Sequence, residues 1–252
     1  MDVKKYKNPV RSVLSAEGGF SLIEIVVVII IIGILAAITM SSFNSMIDTR
    51  RFEETQIEME SLKKAIVGDL NRIVDGVRVD FGYVGDMGAL PANLTNLVVN
   101  PGGGNWRKPY VEVNFQDNPN DYLYDGWNKP YVYDPAALTI YSQGADITLN
   151  LTAGGSSAEL LNNTVIVMIR DRNGFPPKPS DMSNISVSLA LQSGATITGT
   201  LAVGGLCTLT NVPIGNHTLT VTHALKPDEV LKKYISVNPG STTPVEMIFT
   251  TL

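Results

Sequence analysis

The feature that most constrains this chain is an unbroken apolar segment near its amino terminus. From Ile25 to Ile38 no side chain is polar. A helix over 20–40 would be about 30 Å long, enough to span the hydrocarbon core of a bilayer. The many β-branched residues favour a strand, but a lone strand would leave its backbone polar groups unsatisfied in lipid. The segment therefore predicts a transmembrane helix over 20–40.

One carboxylate, Glu24, lies near the start of this segment, and no other side chain within 20–40 can ionise. An ionisable group at bilayer depth costs about 2.5–3.5 kcal/mol on insertion scales, and less near the interface. Such a group needs a partner. If the chain is cut before Phe20, the new α-amine provides a positive group four residues from Glu24.

Residues 1–19 have the composition of a targeting leader, with four basic side chains against two acidic ones. Basic residues before an apolar segment place the amino terminus in the cytoplasm and the rest of the chain across the membrane. An ordinary signal peptide would be cut after the apolar segment, near Ala36, whereas here the small residues Gly18 and Gly19 precede it. Three alternatives follow: a leader cut that retains the helix, an ordinary signal peptide, and a plain anchor.

Composition excludes several classes of protein. The chain of 252 residues has a net charge of −5, and removing a leader of +2 leaves −7. A negative net charge does not favour binding to nucleic acid, which is itself a polyanion. Cys207 is the single cysteine, so neither an internal disulfide nor a zinc cluster can form. We expect Cys207 to be a small buried residue in a strand.

The residues around Glu24 resemble the class III signal of type IV pilins and type II secretion pseudopilins. The matching segments are Gly19–Glu24, which reads Gly-Phe-Ser-Leu-Ile-Glu, and Gly33–Ile38, which reads Gly-Ile-Leu-Ala-Ala-Ile. The resemblance implies that a membrane aspartyl prepilin peptidase cleaves after Gly19 and N-methylates Phe20. It also implies that Glu24 is the acidic residue at position five of the mature chain, which acts in filament assembly.

The apolar pattern continues beyond residue 40, mostly at spacings of three, four or seven, with charged residues largely on the other face. The apolar positions are Phe52, Met59, Leu62, Ala65, Ile66, Leu70 and Ile73. This pattern predicts an amphipathic helix with one stripe against a domain. Gly76 is a plausible stop, so we expect one helix over 20–75. Many pilins carry a proline where this chain has Ser41, which leaves Gly33 as the weak point of the helix.

Residues 76–160 are rich in Gly, Pro, Asn and aromatic residues. The alternating segments 131–133 and 138–141 flank Asp134-Pro135-Ala136 and predict a hairpin. The region resembles the globular head of a major pseudopilin in two motifs. These are Asp125-Gly126-Trp127 followed by Pro130-Tyr131, and Tyr141-Ser142-Gln143-Gly144-Ala145-Asp146. Together they favour a secretion pseudopilin over a pilus subunit.

In those pseudopilins the loop after Gly-Ala-Asp binds calcium, so the resemblance implies Asp146 as a ligand, with Glu159 the next carboxylate along the chain. Carboxylates suit calcium, but a site needs six to eight oxygens and usually more than one carboxylate. The family's second aspartate has no clear counterpart here. The alternative is that Asp146 caps a turn.

Residues 161–252 form a second compositional unit with seven short alternating segments. These are 164–169, 185–191, 195–201, 207–209, 217–221, 234–237 and 245–249. Their spacing of about ten residues predicts an antiparallel β-sandwich. The region resembles carboxypeptidase-regulatory-like or immunoglobulin-like modules, with Arg170-Asp171-Arg172-Asn173-Gly174 and Asn211-Val212-Pro213-Ile214-Gly215 among the matching segments.

No arrangement of residues indicates an enzyme. His217 and His223 are six apart, so they share a strand face, but no metal or nucleophile partner stands at a recognisable spacing. We expect both to be surface residues of a strand. The glycines of 102–104 lack the Lys-Ser/Thr of a phosphate loop and are interpreted as a flexible turn.

These observations predict an α+β protein with a cleaved leader (1–19), a long helix (20–75), a pilin-type head (76–160) and an all-β sandwich (161–252). The resemblance implies a structural filament subunit, most closely a type II secretion pseudopilin. Its partners would be copies of itself, prepilin peptidase, an assembly platform protein, minor pseudopilins and the inner membrane. It would be single-pass, with its carboxyl-terminal domains in the periplasm. The alternatives are a major or minor type IV pilus subunit whose sandwich binds a ligand or surface, and an anchored periplasmic domain without a filament.

Overall fold

The computed structural model describes residues 19–102, 105–111 and 118–250. The predicted leader lies outside these residues, except for Gly19. The chain divides into two compact units, Met1–Thr49 and Arg50–Leu252. An amino-terminal helix is followed by short helices and by β-strands in several sheets, which confirms the predicted α+β class. The predicted boundary near residue 160 lies inside the second unit and stays a prediction.

The first helix, α1, runs from Leu22 to Val67 and contains 46 residues. The long amino-terminal helix predicted from the apolar and amphipathic patterns is present. In the part of the chain that the structure describes, no helix combines the length and the apolarity needed to cross a membrane. The predicted transmembrane span over 20–40 stays a prediction.

The helix ends at Val67, eight residues or about two turns earlier than the predicted end at residue 75. Gly68 has a φ of 83°, and a Cβ at this position would collide with the backbone of Asp80. Only glycine combines that conformation with that close approach. The predicted stop, Gly76, instead forms a tight turn with Asp75, because both have positive φ angles. This turn joins β1 (Ile73–Val74) to β2 (Val77–Arg78), as Asp-Gly commonly does in hairpins.

The amphipathic stripe of α1 is confirmed where the helix continues. Four of the predicted positions are buried in one cluster: Met59, Leu62, Ala65 and Ile66. The predicted Leu70 is 60% exposed and Ile73 is 58% exposed, because both lie beyond the helix, where the 3.6-residue period no longer applies.

The predicted hairpin is also confirmed. Strand β3 (Val132–Asp134) pairs with β4 (Thr139–Ser142), which in turn pairs with β5 (Ile147–Asn150), all antiparallel. Two short helices complete this region: α2 (Gly82–Met87) and α3 (Ser157–Leu161). Their buried residues pack with the α1 stripe in one cluster.

Each of the seven predicted segments after residue 160 corresponds to a strand. The strands are β6 (Asn163–Asp171), β7 (Ile185–Ala190), β8 (Thr196–Gly199), β9 (Leu206–Val212), β10 (Gly215–His223), β11 (Lys226–Val237) and β12 (Thr242–Phe249). They form one sheet in the order β11-β10-β7-β8 and another in the order β12-β6-β9.

The prediction that all strands are antiparallel is wrong for one pair. Strands β12 and β6 are parallel, in the register Thr242↔Thr164 to Phe249↔Asp171. These strands are separated by most of the region, so no tight hairpin imposes an antiparallel direction on them.

Alternate residues of both sheets point into one hydrophobic cluster. Along β6, for example, Val165, Val167 and Ile169 are fully buried. Cys207 is 1% exposed in β9, which confirms its predicted burial, and this burial raises the pKa of the thiol. The likeness of this region to carboxypeptidase-regulatory-like or immunoglobulin-like modules stays a prediction.

Candidate assembly helix and the network that anchors it

The first half of α1 presents apolar side chains to solvent on all sides. Leu22 is 83% exposed, Ile29 63% and Leu35 58%. Soluble monomers rarely expose contiguous apolar patches of more than a few hundred Å², and larger ones mark interaction sites. This half of the helix is therefore a candidate association surface.

The three residues predicted for processing and assembly lie at the start of this surface. Gly19 and Phe20 precede the helix in a segment without regular structure, and the Phe20 side chain is 76% exposed. Glu24 lies in the first turn, where its amide donates to the Ser21 carbonyl at 3.0 Å. A carboxylate in the first turn interacts favourably with the helix dipole. Gly19 and Phe20 are both exposed.

The two head motifs found in the sequence meet at Asp125. This side chain is 5% exposed, and its Oδ1 accepts hydrogen bonds from the amides of Trp127 (3.0 Å) and Lys129 (2.9 Å). Its Oδ2 accepts from the Ser142 hydroxyl at 2.6 Å and the Gly144 amide at 2.8 Å. One carboxylate thus joins the two motifs.

The charge of Asp125 is retained despite its burial. Desolvation alone would raise the pKa of this carboxyl, but the Ser142 hydroxyl and three backbone amides hold the pKa below its usual value. Hydrogen bonds to the ionised form favour it. Position 144 requires glycine, because a Cβ there would lie 2.7 Å from Asp125 Oδ2 and 2.8 Å from Trp127 Cβ.

The same motif attaches the head to the second half of α1. The amide of Gly126 donates to Thr55 Oγ1 at 3.0 Å, and a Cβ at Gly126 would lie 2.7 Å from the Arg51 carbonyl oxygen. The Tyr131 hydroxyl donates to Glu58 Oε2 at 2.7 Å. Burial raises the pKa of Glu58, and this hydrogen bond partly opposes the rise. The sequence motifs therefore have a structural role as a clamp on the helix.

The predicted calcium ligands lie apart from any acidic cluster in the described residues. Asp146, with a φ of 54°, occupies a turn before β5 and accepts from the Tyr141 hydroxyl at 2.9 Å. Glu159 lies in α3 and accepts from the Gly154 amide at 3.4 Å. Among the described residues, no three His, Cys, Asp or Glu side chains come together as a metal site would require. The assignment of Asp146 and Glu159 as calcium ligands stays a prediction.

The prediction that His217 and His223 lie at the surface is wrong, because they are 2% and 3% exposed. They do share a strand face, but it is the inner face of β10, together with Leu219 and Val221. The main-chain N–H of Gln192 donates to His217 Nδ1 at 3.4 Å, so Nε2 carries the proton and donates to the Pro213 carbonyl at 2.8 Å. Desolvation lowers the pKa of His217, and the neutral ring satisfies both contacts.

The contact between the head and the carboxyl-terminal sheets has no signal in the sequence. Gln192 Nε2 donates to Asp86 Oδ1 at 2.6 Å, and the Tyr110 hydroxyl donates to Asp86 Oδ2 at 3.0 Å. Ile214, from the turn before β10, is fully buried in the head cluster. These polar and apolar contacts explain why the two regions form one unit.

Comparison with known proteins finds similarity over part of the chain. Residues 14–40 match the family described as the prokaryotic N-terminal methylation motif. The type II secretion system core protein G of Pseudomonas aeruginosa is 30% identical over 135 residues, which cover 52% of this chain and 84% of that protein.

Among solved structures, the Bacillus anthracis TIE protein aligns with a TM-score of 0.29 and 18% identity. The alignment covers 35% of this chain and spans only 16% of that one. A likeness this low carries no argument about fold or function.

Proposed function

Because the chain belongs to the family of type IV pilins and pseudopilins, we propose that it is a structural, non-catalytic filament subunit of a type II secretion system. The observation that carries this proposal is the 30% identity over 84% of core protein G. The exposed apolar half of α1 supports it, since such a surface is suited to packing against copies of the same helix.

In this proposal the leader is removed by prepilin peptidase after Gly19, and Phe20 becomes the N-methylated first residue. Glu24 then pairs with the amine of Phe20, in a neighbouring copy or in its own chain. The methylation motif over residues 14–40 includes all three positions. Within an apolar helix bundle such a pair provides the specific polar contact, because a carboxylate without its partner would be strongly unfavourable there.

Before assembly, the subunit is held in the inner membrane as a single span over 20–40, with residues 1–19 in the cytoplasm and the head in the periplasm. The basic leader followed by the uninterrupted apolar sequence of Ile25–Ile38 supports this topology. Its further partners are the assembly platform protein and minor pseudopilins.

Mass spectrometry of the mature amino terminus and electron microscopy of sheared envelope fractions test the proposal together. We expect N-methyl-Phe20 and filaments that contain this chain. An intact Met1 contradicts cleavage after Gly19, and a mature chain that begins with an unmodified Phe20 contradicts N-methylation. Processed protein that never enters a filament contradicts the structural role.

A second candidate is a type IV pilus subunit whose carboxyl-terminal sheets bind a surface or ligand. About half of the chain lies outside the match to core protein G, and this favours an added binding role. Antibody labelling of intact cells distinguishes the two. Extended surface filaments favour the pilus, whereas subunits confined to the envelope and a secretion defect in the deletion strain favour the secretion system.

A further inference from the structure

The carboxyl-terminal sheets carry two sets of loops at opposite ends of their strands. The loops on the side of the head are 191–195, 213–214 and 238–241. Gln192 donates to Asp86, and Ile214 is buried in the head cluster. The Gly240 amide donates to the Glu159 carbonyl at 3.0 Å. None of these head-side loops, all of which the structure describes, has an exposed large apolar side chain.

The loops at the other end differ in this respect. These distal loops are 172–184, 200–205 and 224–225. Strand β10, which has nine residues, separates them from the head-side loops by about 27 Å. Each distal loop has one large apolar side chain in solvent, because Phe175 is 67% exposed, Val203 86% and Leu225 70%. Apolar tips on all three loops of one end suggest an interaction site.

Contacts among the distal loops hold these tips in place. Asp171 Oδ1 accepts from the Phe175 amide at 2.8 Å, which fixes the turn that carries the ring. Gly205 packs so closely on the first loop that a Cβ there would lie 2.9 Å from Pro177 Cδ. The Ala224 amide donates to the Asn184 carbonyl at 2.8 Å. The loop 172–184 therefore contacts both of the others, and the three form one framework.

The distal loops carry little charge. Arg172, Lys178 and Asp181 are their only charged residues, so two cations and one carboxylate give a net charge of +1. A cavity of about 390 Å³ opens between β7 and β8 at the same end, and every polar side chain that lines it is a Ser or Thr hydroxyl. This combination of apolar tips and neutral donors suits neither a polyanion nor a strongly charged protein surface.

We propose that the distal loops bind the surface of a phospholipid bilayer, with Phe175, Val203 and Leu225 inserted at the boundary of headgroups and acyl chains. A folded protein partner would need a matching hollow for each of three protruding tips, whereas lipid deforms around any apolar protrusion. Hydroxyls of the cavity, such as those of Ser186 and Thr198, can donate to phosphate and ester oxygens of the lipid. The inference goes beyond the proposed filament role and does not depend on it.

The test uses the full chain in nanodiscs, which hold the apolar half of α1, mixed with protein-free phosphatidylcholine vesicles that contain brominated lipid. A fluorophore is attached at Val203→Cys or, as the control at the head-side end, at the exposed Ala195→Cys. Cys207 is 1% exposed and escapes labelling. We expect a blue shift and quenching at position 203 and neither at position 195. Equal responses at both positions, or none at either, would overturn the proposal.

Substitutions at the tips measure their contribution. Phe175→Ser should lower partition into the vesicles at least about ten-fold, because the ring provides much of the inserted apolar area. The triple variant Phe175→Ser, Val203→Ser and Leu225→Ser should abolish it. The matched control is Tyr234→Ser, at an 86% exposed ring of β11 outside the distal loops, which should retain it. All four positions are exposed, so folding is not at risk. Undiminished partition in the triple variant overturns the assignment.

Salt separates apolar insertion from attraction by charge. We expect equal partition at about 0.05 M and 0.5 M salt, because the distal loops are nearly neutral and screening acts only on charges. Loss of partition at the higher salt concentration would show an electrostatic contact and overturn apolar insertion. A blue shift at position 203 that grows with protein concentration, without quenching by brominated lipid, would identify a second copy of the chain as the partner and exclude lipid.

Discussion

The two halves of α1 share one helix but differ in what surrounds them. Before Thr49 the described apolar side chains are exposed on every side, whereas after Arg50 one apolar stripe is covered by the head and Ile57 is 70% exposed. A helix that is apolar all round needs a surrounding apolar environment, and a helix with one stripe needs a single partner. We therefore expect the first half to be covered by other molecules, whereas the second half is covered by its own chain.

The largest expected effect concerns Glu24, in the first half. Glu24→Ala should be processed normally but should assemble at least about 100-fold less well, because breaking a buried charge pair costs about 3–5 kcal/mol. Filament yield by sedimentation and electron microscopy, beside mass spectrometry of the amino terminus, measures both steps. Glu53→Ala, at an exposed position of the second half, is the control. Normal yield from Glu24→Ala would remove the assembly role.

The same substitution in each half compares the two environments directly. Ile66 is fully buried and Ile29 is 63% exposed. Ile66→Ala should destabilise the second unit by about 2–5 kcal/mol through lost burial and a residual cavity. Ile29→Ala should leave its unfolding free energy unchanged. Denaturant unfolding of the full chain in detergent, followed by tryptophan fluorescence, measures both. Equal losses would show that the halves are not energetically distinct.

Glycine-to-alanine substitutions in the head and in the first half of α1 should change stability by a smaller amount. Gly126→Ala places a Cβ against the Arg51 backbone, which cannot move as a side chain can, so we expect a loss of about 1–3 kcal/mol. Gly33 has nothing within 4 Å of the added Cβ, so Gly33→Ala should be neutral or should stabilise the helix by up to about 1 kcal/mol. Thermal unfolding and helical circular dichroism provide the measurements. A neutral Gly126→Ala would contradict the clamp.

The smallest effect depends on pH and is confined to the second unit. The pKa of His217 is lowered in the folded chain by burial, so protonation favours the unfolded state. Its contribution to stability is complete above the unfolded pKa of about 6.5 and is lost as pH falls below that value. Hydrogen exchange between pH 7.5 and 5.5 should show faster opening near Gln192 and no change attributable to His217 in residues 22–49.

Asp86 and Glu58 titrate with the opposite sign, because burial raises the pKa of each. His217→Gln isolates the histidine, since the amide retains polar contacts without titrating in this range. The free energy of unfolding of His217→Gln should vary less between pH 7.5 and 6 than that of the wild-type chain. An unchanged pH profile in His217→Gln would show that another group is responsible.

Local pattern was sufficient to predict several features. The apolar run before residue 40 and the stripe from Met59 to Ile66 predict α1, and alternation predicts each of the seven carboxyl-terminal strands. The motif at Gly19–Glu24 is also local, and the methylation motif over residues 14–40 includes it. These features depend on residues that are near one another in the chain, so their physical cause can be seen in the sequence.

Tertiary structure alone decided the rest, because it depends on residues distant in the chain. The helix ends at Val67 because Gly68 approaches the backbone of Asp80. His217 is buried because it lies on the inner face of β10, and its ring contacts Pro213 and Gln192. The sequence by itself determined which segments are helix and strand and what the amino terminus resembles. The tertiary structure determined that Asp125 joins two motifs and that Gly126 packs against the backbone of α1, since burial and hydrogen-bond partners are set only when distant segments pack together.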